Sequence, residues 1–442
     1  MILFPLLLLA STAFSQSPPE PVLTLDECLR QSVANSPHLR ISSLEQNKLR
    51  YRYLETLGTG LPNVSFSGSF DDYVNLPTQM IPGEFFGKPG EMIPVQFGTT
   101  YNLAGMLDAS QILYNQTFLV ALRMARLAME QNSLETERLK IEVVFETAQT
   151  FYFAQITRQQ ILNLENNLAK LERAGQIARS QYENGLIKKV DLDRILVNNL
   201  NIRTQIDRLK VLYEQQLNME RYYMGWALDD PLRLPDSIPG PAVDLLATED
   251  LSRHIDIRMI GKQKQMAMTS LRLNQSAYYP ALTLIGSTSY LNQSNTYYVL
   301  GKSTDWFNTS VVGVRLQVPV FNGLQRKYKV SQSRVELDQL RVTEDNTRRI
   351  LQVQSRDAAS KLVSAITDEQ RQRENMRLAE RVYAISQEQY QKGIISLTDL
   401  LNAESSLSDA QTNHSLALVQ MKISELEYMK ANGTLLGILE KK

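Results

Sequence analysis

The feature that most limits what this chain can fold into is a word written twice. Gln389-Tyr-Gln-Lys-Gly-Ile-Ile-Ser-Leu-Thr-Asp-Leu-Leu-Asn-Ala403 has a fainter copy 208 positions earlier, Gln181-Tyr-Glu-Asn-Gly-Leu-Ile-Lys-Lys-Val-Asp-Leu-Asp-Arg-Ile195. Gln, Tyr, Gly, the second aliphatic Ile, Asp and Leu match in place. Upstream, Glu172-Arg173 and Ile177 pair with Glu380-Arg381 and Ile385 in the same register. In both copies a lone glycine interrupts two long helix-favouring stretches, which reads as the turn-back of a helical hairpin. Two such hairpins imply an internal duplication, so the rest of the chain is read as two versions of one unit.

The helices themselves are long. From Leu324 to Lys392 there are 69 residues without Pro or Gly, enough for a helix of roughly 100 Å at 1.5 Å per residue. The equivalent stretch, Thr117 to Asn184, carries only Gly175. Such lengths point to coiled-coil packing. The return helices carry the seam: Leu400, Ala403, Leu407, Ala410, His414, Ala417, Met421, Ser424 and Tyr428 fall at alternating spacings of three and four. Leu192, Ile195, Asn199, Ile202, Ile206, Leu209 and Tyr213 keep the same rhythm in the first copy.

Each long helix is preceded by two β segments, about 62–74 and 99–114 in the first repeat, about 280–291 and 309–321 in the second. Val312, Val314, Leu316, Val318 and Val320 share one face and Gly313, Arg315 and Gln317 the other, a period of two. Four strands cannot close a barrel, and the connections Asn75–Phe97 and Asn292–Asp305 are long and loop-like. That combination suits outer-membrane strands whose open edges are closed by other copies of the chain. A small soluble sheet packed on the helices is the bland alternative.

Composition narrows the compartment. Ile2 to Ala10 is an unbroken apolar run followed by small residues, which marks residues 1–16 as a secretory signal peptide, too short for a spanning helix. No later window is apolar enough for a transmembrane helix. Acidic and basic residues number 47 each, so nothing points to nucleic acid. The single cysteine, Cys28, reads as structural. The organisation is then a signal peptide, a first repeat over 17–227, a Pro-rich linker over 228–250, a second repeat over 251–432 and a tail over 433–442 expected to fray.

No catalytic constellation emerges, and neither cofactor nor metal is expected. His38, His254 and His414 have no partner at ligand spacing. What remains are the hairpin tips. Asp191 and Asp399 sit six residues after their glycines, at the start of the return helices, where an acid satisfies free amides. In a symmetric oligomer the same residue becomes a ring, and a ring of carboxylates at a narrow pore selects cations. Tyr182 and Tyr390, three residues before each glycine, are placed to hydrogen-bond across neighbouring hairpins and hold such a pore shut.

Taken together, the signal peptide, the twofold helix–strand–strand–helix–helix pattern, the Val320-Phe321-Asn322-Gly323 turn and the motif Tyr390-x-x-Gly393-x-x-x-x-x-Asp399-Leu-Leu-Asn-Ala403 resemble the TolC-like outer-membrane efflux proteins over essentially the whole mature chain. The resemblance implies a mainly α fold with β, in which duplicated hairpins form a coiled-coil α-barrel. Four strands per protomer would join a trimeric twelve-stranded outer-membrane β-barrel. It implies a homotrimer in the outer membrane, reaching into the periplasm and in contact with outer-membrane lipid. Its partners would be a periplasmic adaptor protein and an inner-membrane pump of RND or ABC type. The function implied is a passive exit duct for efflux or type I secretion, not an enzyme. Asp399 matches the constriction-ring aspartate, and Asn402 stands at the second ring position, acidic in other members. Tyr390 matches a lock tyrosine, Asp191 its acidic partner, and Gly185-Leu186 and Gly393-Ile394 the tips that meet an adaptor. Ile395 replaces a basic residue of some members. The competing class is a soluble periplasmic coiled-coil scaffold or adaptor, disfavoured because adaptors place β segments around a single hairpin.

Overall fold

A computed structural model describes residues 22–236, 238, 240, 251–297 and 305–440. The expected signal peptide, most of the second half of the linker and the tip of the 292–305 connection lie outside the described residues.

Two short helices come first, α1 (Leu25–Asn35) and α2 (Pro37–Gly58), divided as expected at Pro37. The Thr24 hydroxyl caps α1 and the Glu27 carboxylate reaches back to the Thr24 amide at 2.7 Å, a reciprocal capping box. Strands β1 (Asn63–Asp72) and β4 (Tyr101–Asn115) lead into the long helix α3 (Gln116–Glu183) and its return α4 (Lys189–Met224). The second repeat follows the same order: α5 (Ile255–Ser276), β5 (Ala281–Ser294), β6 (Trp306–Gln317), α6 (Gln325–Gln391) and α7 (Leu397–Ala431). Among the described residues no helix is long and apolar enough to cross a membrane.

The chain divides into two compact units, and neither is a sequence repeat: each takes matching parts of both. One unit comprises 44–134 and 258–345, the other 1–43, 135–257 and 346–442. The first holds a four-stranded antiparallel sheet in the order β1-β4-β5-β6, so that β1 and β6 are its edges. Its register puts Val64, Phe66 and Phe70 opposite Ala109, Leu107 and Leu103, and Leu284 opposite Val314, on one apolar face. Ser65, Ser67, Asp71, Asn102, Asp108 and Arg315 occupy the other. Three features differ from expectation. The connection read as loop-like carries a hairpin, β2 (Thr78–Pro82) with β3 (Met92–Gln96), concealed by the prolines within and beside its strands, Pro77, Pro82 and Pro94. Strand β6 begins earlier, at Trp306, and stops at Gln317 rather than Phe321, because Pro319 has no amide to donate. The chain then turns through Gly323 and Leu324, both with positive φ, into α6.

In the second unit the expected seams are buried. Ile195, Ile202 and Ile206 of α4 and Leu400, Ala403 and Leu407 of α7 pack with Ile161, Leu171 and Ala178 of α3 and Tyr383 and Tyr390 of α6. A second cluster joins Cys28, Leu29, Val144, Ala148, Phe151, Leu217 and Met224. That cluster corrects two expectations. The first half of the linker is core rather than tether: Leu232 and Leu234 are buried, and the Leu23 amide donates to the Arg233 carbonyl at 3.0 Å. The tail does not fray, because residues Leu435–Glu440 form a 3-10 turn whose Leu435 is 1% exposed in the same core. In both places alternate or clustered leucines outweigh the local bias of proline or chain end.

Candidate gate at the hairpin tips

The two tips are built alike. The Gly185 amide donates to the Tyr182 carbonyl at 2.9 Å and the Leu186 amide to the Gln181 carbonyl at 2.8 Å. The Gly393 amide donates to Tyr390 and the Ile394 amide to Gln389, both at 2.9 Å. This bond pair is a Schellman cap, which requires the left-handed backbone found at Gly185 (φ 74°) and Gly393 (φ 71°). The aliphatic residue after each glycine is exposed: Leu186 by 73% and Ile394 by 66%.

Past the glycines the copies diverge. Ser396 caps α7 and Asp399 closes a capping box, its Oδ2 accepting from the Ser396 hydroxyl at 2.7 Å and amide at 3.2 Å. Asp399 therefore has the helix-start role anticipated for it, while remaining exposed. Asn402, three residues on, is exposed on the same helix face. In α4 the cap position holds Lys188, which makes no side-chain cap bond. Asp191 is thus released from capping and sits 3.9 Å from Arg194.

The tyrosines diverge too. Tyr390 is buried among Leu397, Leu400 and Ile195, and its hydroxyl donates to Gln181 Oε1 of the other hairpin at 3.4 Å. Burial, with the Asp191 carboxylate adding to it, holds the Tyr390 hydroxyl above the usual tyrosine range. The Asp191 carboxylate is thus near enough to act on Tyr390, while the hydroxyl's bond is to Gln181. Tyr182 is 40% exposed and stands outside the buried cluster, so within one chain it locks nothing. Ile395 packs against that cluster where a basic residue would project.

Two further contacts across the hairpins had no expectation behind them. Arg194 Nη1 of α4 donates to the Thr398 hydroxyl of α7 at 3.1 Å, and Asn198 Nδ2 donates to Glu404 Oε2 at 2.9 Å. With Tyr390–Gln181 they link positions 204 to 209 apart in sequence, close to the repeat period, so equivalent stretches face each other. The available signal was an acid, Glu404, directly beside the seam positions Leu400, Ala403 and Leu407. Farther along, Glu369 Oε1 is shared between Arg373 (2.6 Å) and His414 (3.1 Å), giving the seam histidine a carboxylate partner. Among the described residues no group of three or more His, Cys, Asp or Glu could hold a metal ion.

Residues 246–434 match the sequence profile of the family Outer membrane efflux protein. The matched stretch spans the second repeat. The efflux-protein likeness extends over more than the matched repeat. The toluene efflux pump outer membrane protein TtgC of Pseudomonas putida is 21% identical over 410 residues, 91% of this chain and 80% of that protein. The antibiotic efflux pump outer membrane protein ArpC of Pseudomonas putida gives the same figures. Among solved structures, CusC superposes with a TM-score of 0.72 at 16% identity, covering 93% of this chain and 92% of its own. The CmeC outer membrane channel of Campylobacter jejuni also reaches 0.72 at 16%, covering 93% and 85%. VceC of Vibrio cholerae reaches 0.69 at 14%, covering 92% and 96%. Over 92–93% of its length the chain shares the fold of these solved structures.

Proposed function

We propose that the chain is a protomer of a trimeric outer-membrane channel, the exit duct of a tripartite efflux or type I secretion system. It is a passive conduit extending into the periplasm, not an enzyme. The observation that carries this reading is the four-stranded sheet. It is antiparallel, mostly apolar on one face and mostly polar on the other, and it ends in two edges, β1 and β6, with no further strand beside them in the sheet. An unpaired edge in a membrane must be closed, and three such sheets joined edge to edge make twelve strands with the apolar face toward lipid. The relatives are named as outer membrane proteins of efflux pumps, which supports a periplasmic adaptor and an inner-membrane pump as partners.

Within this duct Asp399, with Asn402 beside it, forms the narrow ring at the periplasmic end, and Tyr390 and Asp191 belong to its lock. Tyr182, exposed in one chain, is left for contact between protomers. The exposed apolar tips Gly185-Leu186 and Gly393-Ile394 are the surface an adaptor meets. Fractionation and planar-bilayer recording test the assignment. The protein is expected in the outer membrane as a heat-modifiable trimer that conducts. Recovery from the soluble periplasm would overturn it in favour of a scaffold.

A further inference from the structure

Of the three side-chain hydrogen bonds described near the tips, that of Glu404 places a carboxyl in a buried position. Glu404 is 4% exposed, and its hydrogen-bond partner is an amide, Asn198 Nδ2, rather than a cation. Groups beside it come from three helices: α4 supplies Asn198, α6 supplies Tyr383, and α7 itself supplies Asp409. Helix α3 contributes at one remove, through Lys170, whose ammonium lies 5.6 Å from the centre of the Tyr383 ring. An acid taken out of water without a cation holds its proton more tightly than an exposed one. Burial is the main reason the Glu404 carboxyl lies above the ordinary glutamate range; Asp409 adds to it, and the Asn198 amide partly offsets it.

The position matters more than the shift. Asn198 lies one turn beyond Arg194, which bonds Thr398 at the start of α7, and Glu404 lies beyond Asp399 on the same helix. The carboxyl is therefore seated between the return helices of the two hairpins, directly behind the candidate gate.

We propose that Glu404 is a proton-responsive joint between the hairpins: protonated, it lets α4 and α7 stay packed at the tips; ionised, it favours their separation and opening of the periplasmic end. The packed arrangement binds the proton more tightly, so raising the pH must draw the equilibrium toward separated helices, where a carboxylate is hydrated. Glu404 is a positioning residue, since it touches no cargo. The inference rests on the duct reading.

Full-length trimers in planar bilayers, recorded from pH 5 to pH 8, provide the test. Wild-type open occupancy is expected to rise with pH, by up to about tenfold per unit while the carboxyl titrates. Glu404→Gln keeps an acceptor for Asn198 but cannot ionise, and is expected to hold occupancy at its low-pH value throughout. Glu404→Asp is expected to restore the slope. Asn198→Ala removes the bond that favours the charged form, and so is expected to move the midpoint to higher pH. A wild-type slope in Glu404→Gln, or a wild-type midpoint in Asn198→Ala, would sink the joint while leaving the duct intact. Wild-type trimers that conduct without pH dependence would do the same. A wild-type protein that forms no channel would instead remove the duct reading, and the joint with it.

Discussion

Asp399 has a structural duty in the chain and a functional one in the proposed pore. Its carboxylate completes the α7 capping box, yet the side chain stays exposed beside Asn402. Asp399→Ala is expected to cost about 1 kcal/mol through the lost cap. In bilayers it should raise single-channel conductance or abolish block by multivalent cations; unchanged conductance and block would remove Asp399 from the pore. Glu220 presents the opposite case, an acid with no evident duty. It is 0% exposed, and the group beside its carboxyl is the Cys28 thiol, whose weak hydrogen bond offsets only part of the cost of burial. Burial pushes its pKa up to about 8. Unfolded, the same group titrates near 4.3. Between those values the folded state binds the extra proton, so stability declines as pH rises from about 4.5 toward 8 and then levels off. Glu220→Gln should flatten that decline and raise the melting temperature most at pH 8. Equal gains at pH 5 and pH 8 would mean that Glu220 does not titrate in this window.

At the scale of elements, the seam decides which side chains matter. Leu400 is fully buried where the four helices meet, so Leu400→Ala is expected to cost about 2–5 kcal/mol. Leu200, exposed on α4, should change stability by no more than about 0.5 kcal/mol when truncated. Chemical denaturation of the two variants checks the contrast, and similar costs would mean that the seam is misplaced. The spacing of three and four was legible because burial on a helix repeats with the helix. The 208-residue echo was legible because both tips need glycine in a left-handed conformation followed by an aliphatic residue. The β2–β3 hairpin was not, since prolines within and beside its strands read as loop. The buried tail was not either, because a short leucine-rich end looks the same whether it packs or frays.

For the whole molecule, the sheet with edges at β1 and β6 sets the expectation. Solubilised in mild detergent, the chain should sediment as a trimer and convert to monomer only on heating. A stable monomer retaining its strand content would contradict closure by identical copies. Closure of the strands by identical copies would also account for a chain with 47 acidic and 47 basic residues in which, among the described residues, no helix is long and apolar enough to cross a membrane. Its membrane face is assembled from alternate residues of short strands, which a hydropathy average dilutes with their polar neighbours.

What the sequence by itself determined was most of what is local or periodic: the duplication, the order of the main helices and strands, the seam and the Gly-aliphatic tips. Those follow from backbone conformation and side-chain period, which are written within a few residues of each other. Only the tertiary structure decided which residues meet. It paired Tyr390 with Gln181 rather than with an acid, freed Asp191 by placing Lys188 where its twin has Ser396, and buried Glu404 against Asn198. Repeats of equal pattern become unequal once they pack against each other. A contact between positions some 200 residues apart depends on the register of two helices, and no local pattern records it.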